Sequence, residues 1–253
     1  PEDDPAWLKY KDRKWDAGNQ GDKRDAQFYA AMVEMADRHI GELFTLLREL
    51  NIDRKTIVFV CGDNGGQPYF LNEKHPDGFL APNLDPRTGV RFRGGKRSFY
   101  EGGLRIPFIV RWPGRIRPGI VSDHLGYFPD VMPTLAELGG TEPPGNTDGI
   151  SIAPNILGEV ATGHGQGQHE YLYWEDSVSC AVRMGNWKAV KPKQSEVFEL
   201  YDLGKDIEEL NDVAVQYPEI LLKMEKYAKQ SHTSPCEGRV LDASLGFRGH
   251  GED

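Results

Sequence analysis

Cysteine is scarce in this chain. Three occur, Cys61, Cys180 and Cys236, far apart and without C-x-x-C spacing. That excludes a thiolate zinc site and a disulfide framework, and leaves the redox compartment open. Excess positive charge is missing too. The formal net charge is −9, which argues against nucleic acid as a partner. No run of 18 apolar residues exists, so no segment is suited to span a bilayer as a helix. Several catalytic signatures are also absent. There is no G-x-S-x-G nucleophile elbow and no H-E-x-x-H. The tract "RGGKRS" fails the phosphate-loop pattern, because Arg97 follows Lys96 where Ser or Thr is required. What remains is a 253-residue chain, enough for one large or two modest domains with a sizeable core.

The most informative stretch present is "KTIVFVCGDNGG". Asn-Gly after a β-branched run is a hairpin signal, and a turn is one reading. The alternative is a strand end that delivers Asp63 and Asn64 to a ligand. Two features favour the second. Pro68 falls where a return strand would need an N–H, and Thr56 to Cys61 is apolar throughout rather than alternating, as in a strand covered on both faces of a parallel sheet. Ligands in such sheets bind beyond the carboxyl ends of strands.

Around this stretch the periodicity predicts a helix over 25–50. Phe28, Met32, Met35, His39, Leu43, Leu46 and Leu50 would form its core face and Asp25 its cap. His39 reads as a core or boundary histidine. Residues 1–24 read as surface loop. Residues 64–103, rich in glycine, proline and charge, carry no clear element; a loop this long in a compact domain is commonly functional. A second apolar run, "IPFIVRW", follows at 106–112, with Pro107 suited to a strand start. "YFPDVMPTLAELGG" predicts a helix opening near Pro129 and stopping at Gly139, and 141–169 reads as a crossover. Beyond it, "YLYWED", "CAVRMGNWKAV" and "VFELYDL" predict a small antiparallel sheet with a turn at Gly185-Asn186. A helix opening near Pro218 and an irregular tail complete the chain. The expected organisation is thus an α/β unit over 1–160, with a partial parallel sheet at 56–61 and 106–111, and an antiparallel α+β subdomain over 161–253. Two strands are few for a doubly wound sheet, and the first unit is expected to leave apolar surface uncovered.

The chemistry-bearing residues are few. Asp63 and Asn64 offer a carboxylate and an amide oxygen, hard donors suited to Ca²⁺ or Mg²⁺. Two side chains cannot fill a calcium shell of six to eight oxygens. Asp77 and Asp85 are weaker candidates, read as solvated. Lys96 follows two glycines that allow close backbone approach; it could hold an oxyanion as a point charge or be a solvated lysine among Arg91, Arg93 and Arg97. His164 and His169 lie in the glycine-rich "HGQGQHE", His75 and His124 beside possible site loops, and none is singled out as a ligand. Cys61 reads as a buried, inert strand-end residue.

Taken together, "TIVFVCGDNGG" and, some thirty residues on, "GGKRSFYEGGLRIPFIVRWPGRI" resemble the formylglycine-dependent sulfatases of the alkaline-phosphatase-like superfamily. The helix before the first motif, "DHLGYFPDVMPTLAELGG" and the later aromatic strands agree with it, so the resemblance covers nearly the whole chain. It implies that Asp63 and Asn64 are two ligands of a divalent cation, usually calcium, and that Lys96 contacts the sulfate of a small molecule or polysaccharide. It also implies a periplasmic, extracellular or lysosomal location. One departure stands out: the C/S-x-P-x-R motif, whose Cys or Ser becomes the formylglycine nucleophile, is absent. The chain is therefore expected to be the C-terminal portion of such an enzyme, inactive alone. A related phosphate-ester hydrolase and a non-catalytic module of the same fold are the alternatives.

Overall fold

The computed structural model describes residues 2–15, 26–67, 84–85, 88–143, 145–176, 178–192, 195 and 197–233. Asp25, His75, Asp77 and the tail from 234 onward lie outside the described residues.

The expected long helix is present as α2, Ala26–Glu49, and Asn51, with φ 56°, reverses the chain just beyond it. A short helix precedes it where a loop was expected: α1, Pro5–Tyr10. Its signal was in the sequence, since Asp4 accepts from the Ala6 N–H as N-cap and Pro5 sits in the first turn. Asp4 also takes a bidentate pair of bonds from Arg38 of α2, at 2.7 and 3.2 Å. Trp7 stacks on Phe28 at 4.4 Å. Most of the rest of the expected core face of α2 is open, Met35 being half-buried. Met32 is 64% exposed, and Leu43, Leu46 and Leu50 are also exposed, so among the described residues nothing covers this stripe. His39 is exposed beside Glu42 rather than packed in a core.

The two apolar runs form β1, Val58–Cys61, and β2, Phe108–Arg111. They pair with each other antiparallel, Val58 opposite Arg111 and Cys61 opposite Phe108, which corrects the expected parallel arrangement. The physical reason lies in the connection. The chain that leaves β1 at Cys61 returns to the same end, where the Gly62 N–H donates to Pro107 O at 3.2 Å. An all-apolar run reports burial, not strand direction. Pro107 sits just outside the ladder, where its missing N–H costs nothing. Phe108 and Ile109 are exposed, so this sheet, like α2, has apolar surface that the described residues leave open. Cys61, expected to be buried, is exposed.

The second sheet is the antiparallel meander expected after residue 165. β3 (Leu172–Glu175), β4 (Cys180–Met184), β5 (Trp187–Lys191) and β6 (Glu199–Asp202) follow in order. Gly185, at φ 57°, makes the tight β4–β5 turn. Helix α7, Pro218–Ser231, starts with proline in its first turn as expected. It closes a core with Cys180, Val182, Ala189, Leu200, Met224, Tyr227 and Ala228. Four further α-helices belong to the described chain: α3 (Glu101–Leu104), α4 (Val131–Leu138, capped by Gly139) and, in the expected crossover, the pair α5 (Ala153–Leu157) and α6 (Glu159–Thr162). No described helix is long and apolar enough to cross a membrane.

Candidate active-site loop

The excursion between β1 and β2 carries every residue singled out from the sequence as a site candidate. Asp63 is exposed and Asn64 half-buried at the end of β1. The Asn64 side-chain N–H donates to Gly65 O at 2.8 Å, which commits the nitrogen of the amide to the backbone. Two residues on, Gly66 O accepts the backbone N–H of Lys96 at 2.8 Å, and the Gly65 N–H donates to Gly103 O at 2.9 Å. The structure thus brings the backbone of "DNGG" and of the Lys96 loop into direct contact. Lys96 and Arg97 occupy the tip of a turn closed by Ser98 N–H to Gly95 O at 3.0 Å and by Gly95 N–H to Ser98 Oγ at 3.2 Å. Asp85 is buried and accepts from the Thr88 N–H, a local loop role rather than the solvated one expected. Among the described residues no cluster of three His, Cys, Asp or Glu could hold a metal. Asp63 and Asn64 suit a hard cation as a partial ligand pair.

Glycines make this contact possible. A Cβ on Gly65 would stand 1.8 Å from Gly102 O; one on Gly102 would stand 2.4 Å from Gly94 O; one on Gly103 would stand 2.1 Å from Ser98 O. Three stretches of backbone touch with no side chain between them. The glycines of "DNGG", "RGGK" and "YEGG" are therefore a single packing unit.

Beneath the loop lies a charge cluster invisible in the sequence. Glu101 is 2% exposed, Lys188 and Glu209 0%. Lys188 Nζ lies 2.8 Å from Glu101 Oε1 and 2.9 Å from Glu209 Oε1. The second Glu101 oxygen accepts from Arg105 at 2.6 Å and from Arg183 at 3.1 Å. Glu209 Oε2 in turn accepts the backbone N–H of Glu101 at 2.6 Å. Arg93 donates to Tyr201 Oη at 2.7 Å and Glu209 O at 2.8 Å, while the Tyr100 and Tyr201 hydroxyls both donate to Glu199. The Lys96 loop is held from both flanks, residues 93 and 100–105, onto β4, β5, β6 and the 209 turn.

Burial pushes the Glu101 carboxyl up, but the charges of Lys188 and Arg183 and the Arg105 bond outweigh it and hold it at about 2. Burial pushes Glu209 above its ordinary value, against the pull of Lys188. The signs differ. Glu101 adds stability that is present above its unfolded value of 4.5 and lost as pH falls through about 2. Glu209 works oppositely: stability rises as pH falls through its raised folded value and has finished rising below 4.5. Urea denaturation is expected to show a steep loss of stability between pH 4.5 and 2, with a Glu101 share of about 3 kcal/mol. Glu101→Gln should flatten that slope; an unchanged slope would contradict the assignment.

A second buried contact involves a histidine of the glycine-rich "HGQGQHE" tract. His169 Nε2 lies 2.8 Å from Asp130 Oδ1, both side chains being buried. Asp130 also accepts the N–H groups of Ile150 and Tyr127, and Thr134 bonds its carbonyl. This ties α4 to the segment entering β3. Burial lowers the His124 pKa nearby. His164 instead pairs with Glu137 at the surface. No spacing rule links positions 39 apart in sequence, so nothing in the residues alone marked this pair.

Comparison with known proteins decides the family. The sulfatase family profile matches residues 3–141, more than half of the chain. The chain belongs to the sulfatase family. A second profile, described as the C-terminal part of N-sulphoglucosamine sulphohydrolase, matches residues 93–233. An N-acetylgalactosamine-6-sulfatase from Canis lupus familiaris is 34% identical over 163 residues, covering 64% of this chain and 28% of its own. An uncharacterized sulfatase from Schizosaccharomyces pombe is 30% identical over 253 residues, covering 85% and 45%. Among solved structures, Ps i-CgsB superposes with a TM-score of 0.64 at 27% identity, covering 84% of this chain and 44% of that one; it is also similar in its complex with k-i-k-neocarrahexaose, at 25% identity. This sulfatase chain spans between a quarter and a half of the length of these relatives.

Proposed function

We propose that this chain supplies the sulfate-binding lysine and part of the cation site of an enzyme that hydrolyses sulfate esters of a saccharide. The observation that carries the reading is the backbone bond from Lys96 to Gly66, which ties the backbone of an exposed lysine to a residue two positions beyond Asn64. Membership of the family supports the reaction, and the relatives support the substrate class, one being an N-acetylgalactosamine-6-sulfatase and another being solved in complex with k-i-k-neocarrahexaose. Asp63 and Asn64 would hold part of a calcium shell, and the bound cation would draw charge from the ester oxygens. Lys96 orients the sulfate and offsets charge that builds on its oxygens during transfer. The glycine unit sets the lysine's position, and the buried charge cluster holds that unit in place. The nucleophile comes from a segment bearing the C/S-x-P-x-R motif. The open stripe of α2 and the open face of β1–β2 supply apolar surface for such a segment to cover. Without that segment the chain is inactive.

The test uses an enzyme that joins this chain to a segment carrying that motif. Turnover of a chromogenic aryl sulfate should fall roughly a hundredfold in Lys96→Ala, the effect of losing one charge contact in a water-poor site. Asp63→Ala should raise the calcium concentration needed for half-maximal turnover, because the cation loses one of its oxygen ligands. Sulfatase activity from this chain by itself, or preference of the joined enzyme for a phosphate ester, would refute the reading.

A further inference from the structure

The turn that presents Lys96 holds an unexpected residue at its third position. The Ser98 N–H bonds Gly95 O, making 95–98 a four-residue turn with Lys96 and Arg97 at its centre. Arg97 has φ 72°. A positive φ at that position belongs to a type II turn, whose natural occupant is glycine. An arginine there strains the backbone, and strain of this kind is retained where the side chain has a task.

The neighbouring cations separate into two groups. Arg93 is committed to Tyr201 and Glu209, and Arg105 to Glu101. Lys96 and Arg97 are both exposed, with no ion pair or hydrogen bond from either side chain among the described residues. Consecutive residues at the tip of one turn hold two uncommitted cations. Lys96 presents a compact ammonium and Arg97 a planar fork that matches a sulfate or carboxylate through two parallel bonds.

We infer that Arg97 is a specificity-determining residue that binds a second anionic group of the substrate, next to the sulfate held by Lys96. The inference rests on the reading of Lys96 given above. It names the substrate class more closely: a saccharide with at least two anionic groups, the second a sulfate or a carboxylate, in preference to an aryl or other singly charged sulfate.

The experiment compares Arg97→Gly and Arg97→Lys with the parent in the joined enzyme described above. Three probes are used: a chromogenic aryl sulfate, a disulfated disaccharide, and a disaccharide with one sulfate and one carboxylate. In Arg97→Gly, kcat/KM for the doubly charged saccharides should fall about tenfold relative to the aryl sulfate, the size of one partly exposed charge-assisted contact. The loss should appear in KM, since the contact is equally present before and during reaction. Arg97→Lys should recover part of it. The Tm of Arg97→Gly should match or exceed the parent's, because glycine suits the turn. The larger effect, on the disulfated or on the carboxylated probe, identifies the second group. An unchanged selectivity ratio with aryl sulfate still turned over would overturn the inference and leave the Lys96 reading standing. Absence of turnover on all three probes in the parent would overturn both.

Discussion

Lys188→Met is expected to lower the unfolding free energy by about 3–5 kcal/mol, the cost of breaking a buried ion pair from one side. Lys188 is fully buried between Glu101 and Glu209, at 2.8 and 2.9 Å. Its removal leaves two carboxylates in a dry interior, with Arg183 and Arg105 bonded directly to Glu101. The volume is nearly conserved, so packing contributes little and the loss reports charge. For a chain of this size it corresponds to a fall in Tm of about 10 °C. Adding Glu209→Gln to Lys188→Met should recover part of the loss, because an uncharged amide keeps the bond from the Glu101 N–H and removes an unpaired charge. Thermal and urea unfolding of the three proteins checks this. A single variant within 1 kcal/mol of the parent, or a double variant less stable than the single, would show that the lysine is not what neutralises these carboxylates.

Gly65→Ala should destabilise by about 3 kcal/mol or more, beyond the usual range for adding a methyl group to a core. The obstacle is a backbone carbonyl 1.8 Å from the new Cβ, not the end of a flexible side chain. Relief requires the end of β1 to move away from α3, which breaks the Gly65–Gly103 and Lys96–Gly66 bonds together. Gly102→Ala meets Gly94 O and Arg93 O and should behave alike. Gly41→Ala is the control. It lies on α2 with open space around it, where alanine should stabilise by roughly 1 kcal/mol. In the joined enzyme, Gly65→Ala should also lose aryl sulfate turnover at least as fully as Lys96→Ala, since it displaces Lys96 and the proposed cation ligands Asp63 and Asn64 at once. Unfolding curves and turnover for Gly65→Ala, Gly102→Ala and Gly41→Ala test the set; equal stabilities for the three would remove the packing argument.

These effects were unequally legible in the residues. Helix α2, the β4–β5 hairpin and α7 follow from periodicity, a Gly-Asn turn and a proline at a helix start, all local signals. That a strand ends just before Asp63 and Asn64 was legible from the apolar run that precedes them. The pairing direction of β1 and β2 was not, because Val58–Cys61 and Phe108–Arg111 are apolar whichever way they run. Nor was the Glu101–Lys188–Glu209 cluster: scattered charges in "YEGG", "NWKAV" and "IEELN" look solvated until the chain closes over them. The α2 stripe shows the converse, a correct apolar pattern whose cover does not lie in the described residues.

The long reach of the Glu101–Glu209 bond sets an order of events on the ribosome. Its partners are 108 residues apart. The turn bearing Lys96 is synthesised well before the β5 lysine and the 209 turn that hold it down. At ordinary translation rates of about 5–20 residues per second, that segment waits on the order of 5–20 s without its anchor. A nascent chain stalled before residue 209 would carry the complete Lys96 motif in its sequence and still leave it open to proteases.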